Sequence, residues 1–341
     1  MDVLLKTNYT KGFMLFVRRV LLKVFKEDIN SLSIRNQFNR KKHHFQGYDV
    51  VQLINESAFN CVPSIEEELL TYIFANNEAV FLLSCGDDYS SIRYASEKRY
   101  QYSILTPYFE GKVTAKAFQY ALKYITEPYK ILHNHIFKNI KGVIASDLDY
   151  HLPLQEHGIY LGMIPNPVNT EKLEYLDAIT NDKIIIFHGI NNSNYYKKGN
   201  DIFEAALAII NKKYRERIEI ATVGSLPYSE YIKIYDRAHI VLDQVYSYDQ
   251  GYNALEAMAK GKVVFTGAEQ EWLEYYNLEA DTVAINALPD AEKIAQKLEW
   301  LILNPEKIIE ISKNARAFIE REHDYVNVAE TYVMTWTSHQ G

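Results

Sequence analysis

The chain is predicted to be an α/β protein built from two Rossmann-like, doubly wound parallel-sheet domains facing each other across a cleft. Three observations predict this. Four short, β-branched apolar runs in the second half alternate with amphipathic helical patterns. A noisier version of the same alternation fills the first half. Finally, 341 residues with 48% hydrophobic and 24% charged side chains suffice for about two folded domains and exclude a disordered chain.

In the first half, strands are expected near 48–54, 79–84 and 142–146, separated by helical stretches at 64–76 and 114–139. The segment Met163-Ile164-Pro165-Asn166-Pro167-Val168-Asn169 reads as the joint, because residues before proline favour extended backbone over helix. Beyond it, runs at 183–187, 218–223, 239–243 and 262–266 read as parallel strands. Ile202, Phe203, Ala206, Ile209 and Ile210 put apolar groups on one face of an intervening helix, and Asp201 with Glu204 has the spacing of a capping box at its start. Helical patterns fill 290–322. The expected division is 1–165, 166–320, and a terminal helix at 321–341 that returns to the first domain.

Cys61 and Cys85 are too few for a disulfide framework and lack metal-ligand spacing, which points to a reducing compartment, the cytoplasm. Arg18 and Arg19 interrupt the only N-terminal apolar stretch, and no run approaches the roughly 18 residues of a spanning helix. Residues 1–48 carry ten Lys or Arg against three Asp or Glu, although the whole chain is net −7. Within them, 13–26 is an apolar helix pattern with cations at Arg18, Arg19, Lys23 and Lys26. Such a segment fits the inner face of an anionic membrane as a peripheral contact, or an ordinary domain helix with solvated cations. The acidic remainder and the lack of a recognition motif argue against nucleic acid.

Two stretches carry chemistry. From His188-Gly189 through Lys197-Lys198-Gly199 the chain leaves a strand and enters a helix, so that cations and free backbone N–H groups converge as a diphosphate requires. Left to themselves, Lys197 and Lys198 would be plain loop cations. Their place after a strand of a parallel sheet, where such sheets bind ligands, argues for the anion site. In the second stretch, Asp249-Gln250-Gly251-Tyr252-Asn253 leads into a short helix bearing Glu256, whose carboxylate can accept two hydroxyls of a ribose; the competing reading is an i,i+4 pair with Lys260.

The string from Leu255-Glu256-Ala257-Met258 through Gly261-Lys262-Val263-Val264 resembles the donor-site signature of retaining GT-B glycosyltransferases, specifically family four. In order with it stand 164–169, Lys198-Gly199 and Asp243-Gln244. The resemblance covers 160–335. It implies the GT-B fold and transfer of a sugar from a UDP- or GDP-linked donor to a saccharide or lipid-linked saccharide in polysaccharide or glycoconjugate synthesis. By this likeness Lys198 and Lys197 contact the diphosphate, Glu256 the ribose, Gly251 to Asn253 line the sugar, Gly189 admits the ligand, and no metal or other cofactor is needed. His188 stands where it could bond phosphate or sugar. The family usually carries an acid where this chain has Tyr248, so Asp249 is the expected substitute.

Upstream, Asp87 and Asp88 follow a strand at the acceptor side and could face the acceptor hydroxyl; capping the next helix is the alternative. Asn55 and Glu56 are weaker candidates of the same kind. Asp147-Leu148-Asp149 matches a metal-binding triplet by length alone and reads as a turn. The other histidines, His133 among them, lack acid or cysteine groupings. An epimerase or hydrolase, or a sugar-nucleotide-binding subunit without activity, would share these features.

Overall fold

A computed structural model describes residues 3–7, 9–25, 28–178, 183–224 and 228–340. Among them lie two wholly parallel sheets. The first holds β1 (Val50–Ile54), β2 (Ala79–Ser84), β3 (Gly142–Ala145) and β4 (Tyr160–Met163) in sequential order. The second holds β5 (Ile184–Ile190), β6 (Ile218–Gly224), β7 (Ile240–Leu242), β8 (Val263–Thr266) and β9 (Ile285–Asn286), ordered β6-β5-β7-β8-β9. In that second sheet the winding reverses between β5 and β7, the place where open parallel sheets form a ligand crevice at their carboxyl ends.

The central strands are continuous apolar runs because helices cover both faces: β3 and β8 are buried along their whole length. The stretch expected as one helix over 114–139 is broken. Short turns at Gln119–Leu122 and Lys123–Ile125 precede the helix Glu127–Asn139, whose first turn contains Pro128, a residue with no N–H to continue an earlier helix. The strands β4 and β9 were not expected; the first carries Gly162 at φ +106 and shifts register against β3, and the second is two residues long.

The helix Asn200–Tyr214 does not begin with the expected capping box. Its N-cap is Gly199, at φ +71, and a β-carbon there would lie 2.7 Å from that of Val245, so both backbone and space demand glycine. Asp201 instead pairs with Lys112 at 3.3 Å, and Glu204 accepts from the Tyr195 hydroxyl at 2.5 Å.

The chain passes between the sheets twice. Val168, in the expected extended joint, donates its N–H to the His323 carbonyl at 2.7 Å and pairs in parallel with Asp324; His323 in turn reaches the Asn166 carbonyl at 2.8 Å. Past this point the helix Tyr325–Ser338 lies on the first sheet, where Val328 packs with Ile144 and Ile164, and the Trp336 indole N–H donates to Gln52 at 3.0 Å.

Candidate functional site

A cleft of about 320 Å³ separates the two sheets, at the lower end of the range for small-molecule sites. Asp87 and Asp149 line it from the first domain; Lys197, Lys198, Asp243 and the loop 249–253 line it from the second. The two lysines follow β5 and Asp243 follows β7, so both stand at the reversal of the second sheet.

Each lysine already holds a carboxylate. Lys198 Nζ lies 2.8 Å from Asp243, a buried acid that also accepts from Asn253 Nδ2 at 3.2 Å and Thr266 Oγ1 at 3.3 Å. Asp243 thereby fixes Lys198 against the start of the next helix. Lys197 reaches across the cleft and contacts both oxygens of Asp87, at 2.8 and 3.0 Å. Asn55 supports that arrangement by donating to the carbonyls of Cys85 and Asp87 at 2.6 and 3.0 Å.

Gly251 is the N-cap of the helix Tyr252–Ala259, has no side chain to cap it, and has open space where a β-carbon would be. The first N–H groups of that helix are thus left for whatever occupies the cleft. Asn253 is held by Tyr231 and Asp243, Tyr252 is exposed, and Gln250 is buried with its Nε2 donating to the Gly267 carbonyl at 2.6 Å. Glu256 stands one turn further along, exposed, and is not part of the cleft wall. The competing pair with Lys260 does not form, because Lys260 goes to Asp236 at 2.6 Å.

Several candidates lie elsewhere. Asp88 is the N-cap of the helix Tyr89–Ser96, forms a capping box with Ser91 and accepts from Ser84; burial pushes its carboxyl up to about 6. It therefore does not face an acceptor, and the adjacent pair divides into one cleft residue and one cap. Glu56 is buried against His133, 2.6 Å from its Nδ1, so this histidine has an acid partner that spacing did not reveal. His188 is fully buried, with Nε2 2.8 Å from Asn200 Oδ1, and burial lowers its basicity. Gly189 faces the rings of Phe187 and Tyr231 rather than the cleft.

The seam below the cleft is a reciprocal clasp between two Asp-containing loops. Asp149 accepts from the Tyr248 N–H at 3.1 Å and from the Ser247 hydroxyl; Asp249 accepts from the Leu148 N–H at 3.0 Å and from the Gln250 N–H at 2.7 Å. Asp249 is thus turned into the seam and does not present its carboxylate as the missing acid would. Tyr248 fills the same seam, its ring against Tyr100 and Tyr102 and its hydroxyl accepting from the Gln101 N–H at 2.8 Å. Burial raises Asp249 to about 7 and Asp149 to about 6, and raises Asp147 as well, with the neighbouring acids adding to the effect on Asp147 and Asp249. Asp147 caps the helix Leu148–Leu154, so the triplet expected as a turn is instead the start of a helix, with Leu148 and Asp149 in its first turn. Among the described residues no three His, Cys, Asp or Glu side chains are placed to hold a metal ion.

Sucrose-phosphate synthase from Thermosynechococcus elongatus superposes on this chain with a TM-score of 0.62, at 15% identity over 94% of this chain and 79% of its own. HepE from Anabaena, solved in complex with UDP and glucose, gives 0.60 at 13% identity over 97% and 90% of the two chains. The fold is that of the GT-B glycosyltransferases. Residues 194–334 match the family described as Glycosyl transferase-like, a region holding Lys197, Lys198, the clasp loop and Glu256. The N-terminal domain of trehalose-6-phosphate phosphatase from Candida albicans shares the GT-B-like arrangement at a TM-score of 0.57 and 11% identity, over 91% of this chain and 74% of its own. No curated protein matches the chain by sequence.

Proposed function

We propose that this chain transfers a sugar from a nucleoside-diphosphate donor, with the diphosphate held by Lys197, Lys198 and the uncapped start of the helix Tyr252–Ala259. The convergence of those three groups on one interdomain cleft carries the reading. HepE, of similar fold, is described with UDP and with UDP-glucose, which supports a uridine donor over a guanosine one.

Breaking the bond between the anomeric carbon and the diphosphate builds negative charge on the leaving group. Two ammonium groups and helix N–H donors, already fixed in place, stabilise that charge as it develops. Glu256 binds the ribose diol from the exposed helix face. Asp87 stands on the opposite wall, where a saccharide or lipid-linked acceptor would enter. Transfer with retention and without a metal is consistent with this donor set.

A second reading has its own observation. Tyr248 and Asp249 are both committed to the seam, so neither offers the sugar hydroxyls the acid that the resemblance leads one to expect there. A chain that binds the donor without transferring its sugar would show this feature too.

Thermal-shift measurements with UDP and GDP, on the wild type and on Lys198→Ala and Glu256→Ala, test the donor site, since a ligand of the native state raises the melting temperature. The expected outcome is stabilisation by UDP that both variants lose. Indifference of the folded protein to both nucleotides would overturn the proposal. Release of UDP from UDP-glucose, assayed with and without saccharide acceptors, separates transfer from binding alone.

A further inference from the structure

The helix Gly12–Phe25 packs on the helix Ile29–Lys41 with one face only. On that face Leu15, Val17 and Leu21 are half-buried, and Arg18 holds Asp28 through two bonds of 2.5 and 2.8 Å. Arg18 therefore leaves the set of free cations expected for 13–26, and Lys26 lies outside the described residues.

The opposite face is inverted relative to an ordinary surface helix. Phe13, Phe16, Val20 and Val24, spaced three, four and four residues apart, form one stripe, with Phe13, Phe16 and Val24 exposed to 76%, 63% and 64%. The two phenylalanine rings stack at 6.4 Å. Arg19 and Lys23, one turn apart and both exposed, border the stripe, and the helix contains no acid.

We propose that this face lies in the plane of an anionic membrane, the phenylalanines at the acyl boundary and Arg19 and Lys23 among the lipid phosphates. At 14 residues the helix is too short to span a bilayer, and no helix of the described residues is long and apolar enough to do so. Charge selects lipid over a second copy of the chain. Stacking two such faces would bring four cations together with no carboxylate on either helix to neutralise them. This inference stands apart from the donor chemistry proposed above.

The test is sedimentation of the full chain with phosphatidylcholine vesicles, with and without phosphatidylglycerol. Binding is expected to be about tenfold or more tighter with the anionic lipid. Phe13→Ser with Phe16→Ser should abolish it, and Arg19→Ala with Lys23→Ala should remove the anionic preference. Melting temperatures should stay at the wild-type value, since all four side chains face solvent. Equal binding by the phenylalanine variant, or none by the wild type, overturns the proposal. So does a lipid-free dimer, seen by light scattering, that the phenylalanine changes dissolve.

Discussion

Asp249→Asn isolates the charge stored in the domain seam. The amide oxygen can keep the bond from the Leu148 N–H, at the cost of the one that the other carboxylate oxygen accepts from the Gln250 N–H, while the burden of burying an anion disappears. Burial raises the native carboxyl from the usual 3.8 to about 7, so the folded protein binds this proton more tightly than the unfolded chain. Its contribution is then most favourable below about pH 4, declines as pH rises toward about 7, and stays low above that. Some three pH units at about 1.36 kcal/mol each would amount to ~4 kcal/mol. Asp149 shares the seam and its charge, so about half of that, ~2 kcal/mol, is assigned to relieving Asp249 alone. For a chain of this size the equivalent change in melting temperature is about 3 °C. Melting curves of both proteins should coincide at or below about pH 4, diverge as pH rises toward about 7, and be separated by that amount at pH 8, with the variant higher. A variant that melts below the wild type at pH 8 would refute the reasoning, since it would mean that the charged form of Asp249 is the stabilising one.

Asp87→Asn removes the carboxylate that competes with phosphate for Lys197, so calorimetry should find UDP bound several-fold tighter; weaker binding would place Asp87 on the donor's side. Gly199→Ala forces a side chain into left-handed backbone against Val245, and denaturant melts should show a loss of about 2 kcal/mol or more. Asp88→Ala removes a helix cap and should cost about 1–2 kcal/mol of stability while leaving UDP affinity at the wild-type value.

The second sheet was legible because each central strand is a contiguous apolar run, and every strand anticipated there formed. Lys197 and Lys198 were locatable for a related reason: a strand end followed by a helix start is written in consecutive residues. What escaped was set by partners far apart in the chain. Nothing local distinguishes Asp87 from Asp88, yet one meets Lys197 from the other domain and the other caps its own helix. Asp149 and Asp249 find their N–H donors about a hundred residues away. His188 and Gly189 looked like ligand contacts because strand ends usually open to a cleft, but their side-chain positions point into the packing of Asn200, Phe187 and Tyr231.

The helix Tyr325–Ser338 carries a consequence for the order in which the protein is made. It covers Ile144 of the first sheet and Ile164 just beyond it with residues synthesised after the whole second domain. The first domain therefore emerges from the ribosome with that face still bare, and must wait for the whole second domain to follow before it closes. Such a delay favours contacts of very long sequence separation, which form slowly. A chain stopped before Tyr325 would retain all nine strands of the described residues yet leave an apolar face of its first sheet open to water, where other nascent chains could adhere to it.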